Sequence, residues 1–398
     1  MSSVGAPVPP VSYEMLRWAV NPEAPDLGAV RKQSGRYRAA VTPAIADLDL
    51  TVESGVLADA DDASREITRF DAELGEEIAP FAALLLRSES AASSRIENLT
   101  ASARAIAEAE LPGAGSGKRN AAEVVANTRA MTAAINLAGN IGADAILAMH
   151  KALMGDHAPA MAGRWRADQV WIGGGNYGPV GALFIPPRHE AVPAAIDDLI
   201  AFASRDDIPA LIQIAIAHAQ FETIHPFPDG NGRTGRALVQ AMLRHRGLTR
   251  KVTVPVSAGL LVDTGRYFDA LTAYRDGDAA PIIERMSEAS ILAVINGRQL
   301  VADLRNVRAS WEERITARRD SAVWRIADLL MRRPVVNSAV LSAELGILVG
   351  NVPRYLESLI DAGVLKEFTD RARNRAWRAP EVLAVLDDFA ERAGRRGR

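Results

Sequence analysis

The sequence predicts a mainly α-helical protein, and three observations lead there. Apolar residues recur every three to four positions over long stretches with few breakers, from Ala60 to Glu110, Ala121 to Leu137 and Asp144 to Leu153. The segment from Leu211 to Ile216 is almost wholly apolar, as in a helix buried on every side. Residues with a strand preference gather in two short regions, near 170–185 and 364–378. A length of 398 residues suggests two or three domains, and a 48% hydrophobic content rich in Ala, Leu, Ile and Val supplies the core.

Composition excludes several classes of function. There are no cysteines, so neither a disulfide framework nor a thiolate metal site can form, and a reducing compartment fits. No run of about 18 apolar residues is present, so no membrane span is expected. Met1 to Pro10 is small and proline-rich without an apolar signal core, which makes a cytoplasmic location the expectation. The net charge of −3 hides a basic C-terminal part carrying Arg371, Arg373, Arg375, Arg378, Arg392, Arg395, Arg396 and Arg398. Such a cluster suits nucleic acid, but it equally describes a solvated chain end.

Taken in order, residues 1–110 read as an irregular arm followed by helices. Leu111 to Gly117 is a glycine-rich loop, and helices resume over 121–137 and 144–153. Val170-Trp171-Ile172 and Ala182-Leu183-Phe184-Ile185 flank a glycine-rich turn and predict a β-hairpin that Pro186-Pro187 ends. A helix over 192–203 follows. Asp207 is placed to cap the next helix, with Pro209 in its first turn. That helix stops near Thr223, and another runs from about Gly232 to Arg246 before Gly247. Helices continue through Asn296 and Arg314. Beyond them, helices over 322–331, 338–345 and 351–362, two of them stopped by Gly346 and Gly363, precede two short strands. That is the order of a winged helix-turn-helix.

The most informative stretch joins the two central helices: His225-Pro226-Phe227-Pro228-Asp229-Gly230-Asn231-Gly232-Arg233-Thr234-Gly235-Arg236. Gly230 and Gly232 allow a tight turn and a close approach of backbone to ligand. Successive N–H groups there, at the start of a helix, can form an anion nest. Arg233 and Arg236 add two forked cations three residues apart, a set suited to a triphosphate. Asp229 is a hard oxygen donor for Mg²⁺, Asn231 can donate its amide to a phosphate oxygen, and His225 suits proton abstraction from a hydroxyl. Phe227 is expected to pin the loop to the core. A calcium loop is excluded because the further acidic ligands are missing, and Rossmann or P-loop readings fail because the glycines do not follow a strand.

This run resembles the signature of Fic-domain proteins, His-x-Phe-x-Asp/Glu-Gly-Asn-Gly-Arg-x-x-Arg, at every defined position. The resemblance implies a Fic-type helical core with a β-hairpin flap, and transfer of AMP from ATP to a Ser, Thr or Tyr hydroxyl of a protein. It makes His225 the base, Asp229 the Mg²⁺ ligand, Gly230, Asn231 and Gly232 the anion hole, and Arg233 and Arg236 the holders of the β- and γ-phosphates. The 170–185 hairpin resembles the family's flap, onto which a target segment adds as a strand. Val170 and Ile172 would also touch the adenine, and Tyr267 is a further candidate for its wall.

Ser93-Ser94-Arg95-Ile96-Glu97-Asn98 resembles the family's inhibitory motif, Ser/Thr-x-x-x-Glu-Gly/Asn. Ser93 and Glu97 lie one helical turn apart on one face, and by analogy Glu97 would pair with Arg236 and leave ATP in an unproductive pose. The expected organisation is therefore an N-terminal arm and helical region over 1–120 with an inhibitory helix at about 90–105. A catalytic core over 121–300, a connecting helix over 301–320 and a winged-helix module over 321–398 follow. Removal of AMP by the same site, and a DNA-binding regulator with a nucleotide-sensing core, are the competing functions. The expected partners are a hydroxyl-bearing protein target, the chain itself as a substrate, DNA through the C-terminal module and a second copy in a homodimer, with no membrane.

Overall fold

The computed structural model describes residues 6–19, 26–74, 79–112, 119–368 and 375–394. It is mainly helical, as expected. In chain order, the elements begin with strand β1 (Ser12–Trp18), helix α1 (Leu27–Gln33) and strand β2 (Gly35–Val41), then α2 (Ser54–Glu73), α3 (Ala79–Ile96), α4 (Ala103–Ala109), α5 (Arg119–Asn136) and α6 (Ala143–Met154). The central helices are α7 (Val192–Ala203), α8 (Ala210–Ile224), α9 (Asn231–His245), α10 (Val256–Leu261), α11 (Thr264–Arg275) and the long α12 (Ala280–Arg314). The remainder is α13 (Ala322–Leu330), β3 (Val335–Asn337), α14 (Ser338–Leu345), α15 (Val352–Asp361), β4 (Lys366–Glu367), β5 (Ala376–Arg378) and α16 (Pro380–Gly394). Two compact units result, one from Met1–Ser64, Ala130–Leu248 and Thr264–Glu288, the other from Arg65–Arg129, Thr249–Asp263 and Ala289–Arg398.

The first unit is built around α8, in which every residue from Leu211 to Ile224 is buried. Polar side chains on a helix enclosed in this way need partners inside the protein. Gln220 donates to the Pro43 carbonyl at 2.9 Å and accepts from the Tyr274 hydroxyl at 2.8 Å, which ties α8 to α11 and to the segment after β2. Gly235 on α9 faces α8 at a distance that leaves no room for a side chain, since a Cβ there would lie 2.7 Å from Glu222 Oε1 and 2.9 Å from Phe221 Cδ1. The expected Asp207 cap is not formed. Pro209 occupies the N-cap of α8, and Asp207 instead pairs with Arg205 at 2.6 Å, where a charge-assisted bond replaces the cap.

The N-terminal arm is not irregular. β1 and β2 form an antiparallel ladder from Ser12↔Val41 to Trp18↔Gly35. The 170–185 hairpin, in contrast, is reduced to one bridge, Ile172↔Phe184, made by the Ile172 N–H to Phe184 O at 2.8 Å and the Phe184 N–H to Ile172 O at 3.2 Å. The ladder and hairpin support each other. Ala40 N–H donates to Ile185 O at 2.9 Å, Trp18 Nε1 donates to Tyr177 O at 3.0 Å, and Gln33 Oε1 accepts from Tyr177 N–H at 2.8 Å.

In the second unit, the carboxylate of Glu89 on α3 caps α10, accepting the Ser257 N–H at 2.9 Å and its hydroxyl at 2.6 Å. The expected apolar run from Ala60 to Glu110 is divided before α4, where Asn98 takes a left-handed φ of 61° and Ser102 caps the new helix by accepting from Ala105 N–H at 3.2 Å. The C-terminal elements follow the predicted order, with a further strand, β3, and a further helix, α16. The strands form a three-stranded antiparallel sheet in the order β3-β5-β4. Gly346 and Gly363, at φ 67° and 70°, stop α14 and α15 in the left-handed conformation that a Cβ disfavours. Of the expected basic residues, Arg371, Arg373, Arg395, Arg396 and Arg398 lie outside the described residues.

Candidate active site

His225 ends α8 in the left-handed region, with φ 50° and ψ 62°. A non-glycine residue held there is strained by about 1–3 kcal/mol, so its surroundings must enforce it. Its N–H closes the last helical turn on Phe221 O at 2.9 Å. The loop then runs through Pro226 and the fully buried Phe227, which anchors as predicted. Phe227 stacks on the His150 ring at 3.7 Å between centroids and lies 5.1 Å from Trp165.

Gly230 starts α9 with φ 78°, and a Cβ there would meet Leu153 Cδ2 at 3.0 Å. Only glycine combines this backbone with this approach. The first N–H groups of α9 have no intrahelical acceptor and lie at the positive end of the helix dipole, an arrangement that suits an anion. Arg233 and Arg236 are 3% and 2% exposed at this same helix start. Asp229 stands 65% exposed at the loop's edge, 3.9 Å from Arg233 Nη2, while its Oδ1 accepts the Gly230 N–H at 2.6 Å. The exposed Asp229 carboxylate is a hard oxygen donor that could take one position on a Mg²⁺ ion, the others falling to phosphate oxygens and water. Among the described residues no group of three or more His, Cys, Asp or Glu side chains could hold a metal alone.

The Asn231 side chain departs from expectation. Its Oδ1 accepts the Phe227 N–H and its Nδ2 donates to Phe227 O, both at 2.8 Å. The amide therefore braces the loop through its oxygen and one of its two N–H groups.

Of two buried histidines that the sequence did not single out, His150 supports the loop and His218 stands behind Arg236. His150 Nδ1 accepts the Gly163 N–H at 3.0 Å, which places the ring proton on Nε2, 3.0 Å from Asp229 O. Burial lowers its pKa to about 4. His218 is held by Tyr267 at 2.8 Å, and burial, then the nearby Arg236 charge, lower its pKa to about 3. Both rings are neutral near pH 7. A single histidine on an apolar helix gives no signal in sequence, because its partner lies far along the chain.

The remaining predicted residues divide. Tyr267 is 1% exposed with its hydroxyl on His218, so it belongs to the interior behind Arg236. Val170 is half-buried at the neck of the hairpin, where Gln169 Nε2 bridges Val170 O at 3.0 Å and Pro186 O at 2.9 Å. Ile172 packs against Val11, Ala40 and Phe184. In the second unit, Ser93 is fully buried within α3, whereas Glu97 and Asn98 are exposed just past its end. α3 ends at Ile96, one residue before Glu97, whose N–H still donates back to Ser94 O at 3.1 Å.

A strained histidine, a glycine-led helix start and two buried arginines within twelve residues are the features by which this site can be compared with others. Residues 140–243 match the model of the Fic/DOC family. Over this region the chain is similar to the Fic/DOC family. Among its relatives is the protein adenylyltransferase fic-1 of Caenorhabditis elegans, 30% identical over 182 residues, which are 44% of this chain and 32% of that protein. A probable protein adenylyltransferase of Aquifex aeolicus (strain VF5) is 34% identical over 108 residues, 27% of this chain and 31% of the relative. The chain thus spans about a third of the length of these relatives. The crystal structure of a Fic family protein from Desulfovibrio desulfuricans G20 shares the fold, with a TM-score of 0.53 at 23% identity over 83% of this chain and 97% of that one.

Proposed function

We propose that this Fic/DOC protein is a protein adenylyltransferase that moves AMP from ATP to a hydroxyl of a target protein or of itself. The observation that carries the reading is the placing of His225 at the C-terminus of α8, with a glycine-led anion nest and two buried arginines at the start of α9 one short loop away. In the proposed step, His225 takes the proton of the incoming hydroxyl as its oxygen attacks the α-phosphorus. The bond from that phosphorus to the bridging oxygen breaks, and pyrophosphate leaves with the electron pair. The Gly230–Gly232 backbone and Arg233 and Arg236 neutralise the phosphates, and Asp229 would hold Mg²⁺ against them. Such catalysis rests on positioning and charge.

Glu97 is proposed as a built-in brake that competes with the γ-phosphate for Arg236. The C-terminal module is read as a winged helix on the strength of its element order. One of its expected phosphate contacts, Arg375, is paired with Glu367, which favours docking to protein over DNA. A catalytic core followed by a connecting helix and a C-terminal module, and a cytoplasmic location, are part of this proposal.

The test is labelling from α-³²P-ATP with Mg²⁺. The Glu97→Gly protein should incorporate more label than the parent, with an AMP mass increment on a hydroxyl residue. His225→Ala in that background should lose roughly 10²–10⁴ of the rate, the share of a positioned base. If the Glu97→Gly protein takes up no label and binds no ATP in the presence of Mg²⁺, the proposed activity is wrong.

A further inference from the structure

Arg166 is 3% exposed, and no carboxylate lies within ion-pair distance of it among the described residues. All three of its guanidinium nitrogens donate to main-chain carbonyls. Nε donates to His225 O at 2.9 Å, Nη1 to Asp168 O at 3.0 Å, and Nη2 to Pro187 O. Its own N–H donates to Pro226 O at 2.9 Å. Asp168 and Pro187 bracket the hairpin of residues 170–185, whose neck Gln169 closes from the other side. Burial lowers the Arg166 pKa to about 10, so it remains charged near neutral pH. A buried cation satisfied only by carbonyls is a poor stabilising device, because the desolvation it suffers is not recovered from an opposite charge. What the planar fork supplies is geometry, since three acceptors at fixed angles define three relative positions at once.

We propose that Arg166 is a positioning residue that locks both feet of the flap to the backbone of the catalytic His225, so that a hydroxyl presented by the flap meets the imidazole in register. The inference rests on the AMP-transfer reading of the site. Arg166 touches neither nucleotide nor hydroxyl in this role. It acts through the strained left-handed turn at His225 and through the flap neck. Loss of the lock should leave the anion nest of α9 intact and misplace the two reacting partners relative to each other. A misplacement of about 1 Å costs on the order of 10²-fold in rate.

The test compares Glu97→Gly with Glu97→Gly carrying Arg166→Lys, which keeps the charge but cannot span three carbonyls. KM for ATP should stay within about twofold, while kcat for transfer to a hydroxyl falls on the order of 10²-fold. The fraction of AMP released to water relative to AMP transferred should rise, because water needs no register with the flap. A merely structural role would reduce both routes alike and leave that fraction unchanged, and this result would overturn the proposal. If the lysine variant does not fold, or if the parent transfers no AMP and the proposed activity itself fails, exchange of the Arg166 Nε–H in ¹⁵N-arginine-labelled Glu97→Gly protein decides. Exchange at least tenfold slower than at exposed arginines supports the lock; equal exchange refutes it.

Discussion

Asn231 and Phe227 are joined by a reciprocal pair of hydrogen bonds, side-chain amide to backbone amide, both at 2.8 Å. This pair shapes the turn between His225 and the start of α9. Asn231→Asp keeps the acceptor for Phe227 N–H and removes the donor to Phe227 O, leaving a buried carbonyl facing a carboxylate. A buried group left unsatisfied costs about 1–3 kcal/mol. The variant should unfold at lower urea and bind ATP–Mg²⁺ more weakly. An unshifted midpoint would show that the brace contributes nothing.

Gly235→Ala tests the approach of α9 to α8. The added methyl would sit 2.7 Å from Glu222 Oε1 and 2.9 Å from Phe221 Cδ1. Helix propensity alone favours alanine by almost 1 kcal/mol, but overpacking of a close contact costs about 1–3 kcal/mol. The expected net effect is a lower thermal midpoint, measured by calorimetry. A raised midpoint would mean that the two helices separate freely.

Acid should weaken the fold through His218. Its pKa is lowered from 6.5 to about 3, first by burial and then by the Arg236 charge. Between these values the unfolded chain holds a proton that the folded chain refuses. The contribution to stability is therefore complete above pH 6.5 and declines as pH falls toward 3. One proton corresponds to about 1.4 kcal/mol per pH unit. Urea titrations at pH 6.5 and pH 5 should show the parent losing about 2 kcal/mol more than His218→Gln. Equal losses in the two proteins would remove His218 as the cause.

Trp18→Ala addresses the support of the flap. The Trp18 indole donates to Tyr177 O at 3.0 Å and meets Trp171 edge-on at 5.4 Å between centroids. Without it the flap keeps the Ile172–Phe184 bridge, the bond from Trp171 Nε1 to Gly175 O at 2.7 Å and the Gln169 neck. Amide exchange at Ile172 and Phe184 should accelerate by roughly tenfold or more, the effect of losing about 1.4 kcal/mol of local stability. Unchanged exchange would place the support elsewhere.

The helices around the motif were legible because their signals are local. An unbroken apolar run buries α8, and Gly247, Gly346 and Gly363 stop helices at the positions their left-handed angles require. The motif was legible because its chemistry sits in consecutive residues. What sequence concealed was set by distant partners. Burial in β1 alternates, with Glu14, Leu16 and Trp18 on the more covered face and Tyr13, Met15 and Arg17 exposed, but apolar residues stand on both faces, so the sequence itself shows no period of two. Asp207 has the chemistry of a cap, yet Arg205 two residues earlier holds it more strongly. Asn231 has the chemistry of a phosphate donor, yet Phe227 takes both ends of its amide. Arg166 offered no signal, because its three acceptors are carbonyls, which every residue possesses.

The ladder of β1 and β2 lies about a hundred residues upstream of the family match at 140–243. A fragment trimmed to that match would keep His225, Asp229, Arg233 and Arg236. It would lack Ala40, Gln33 and Trp18 beneath the flap, and Tyr267 behind His218. The smallest fragment that folds on its own is accordingly expected to be larger than the matched region, and mapping by deletion would score β1 and β2 as indispensable although neither contributes a residue to the His225–Arg236 stretch.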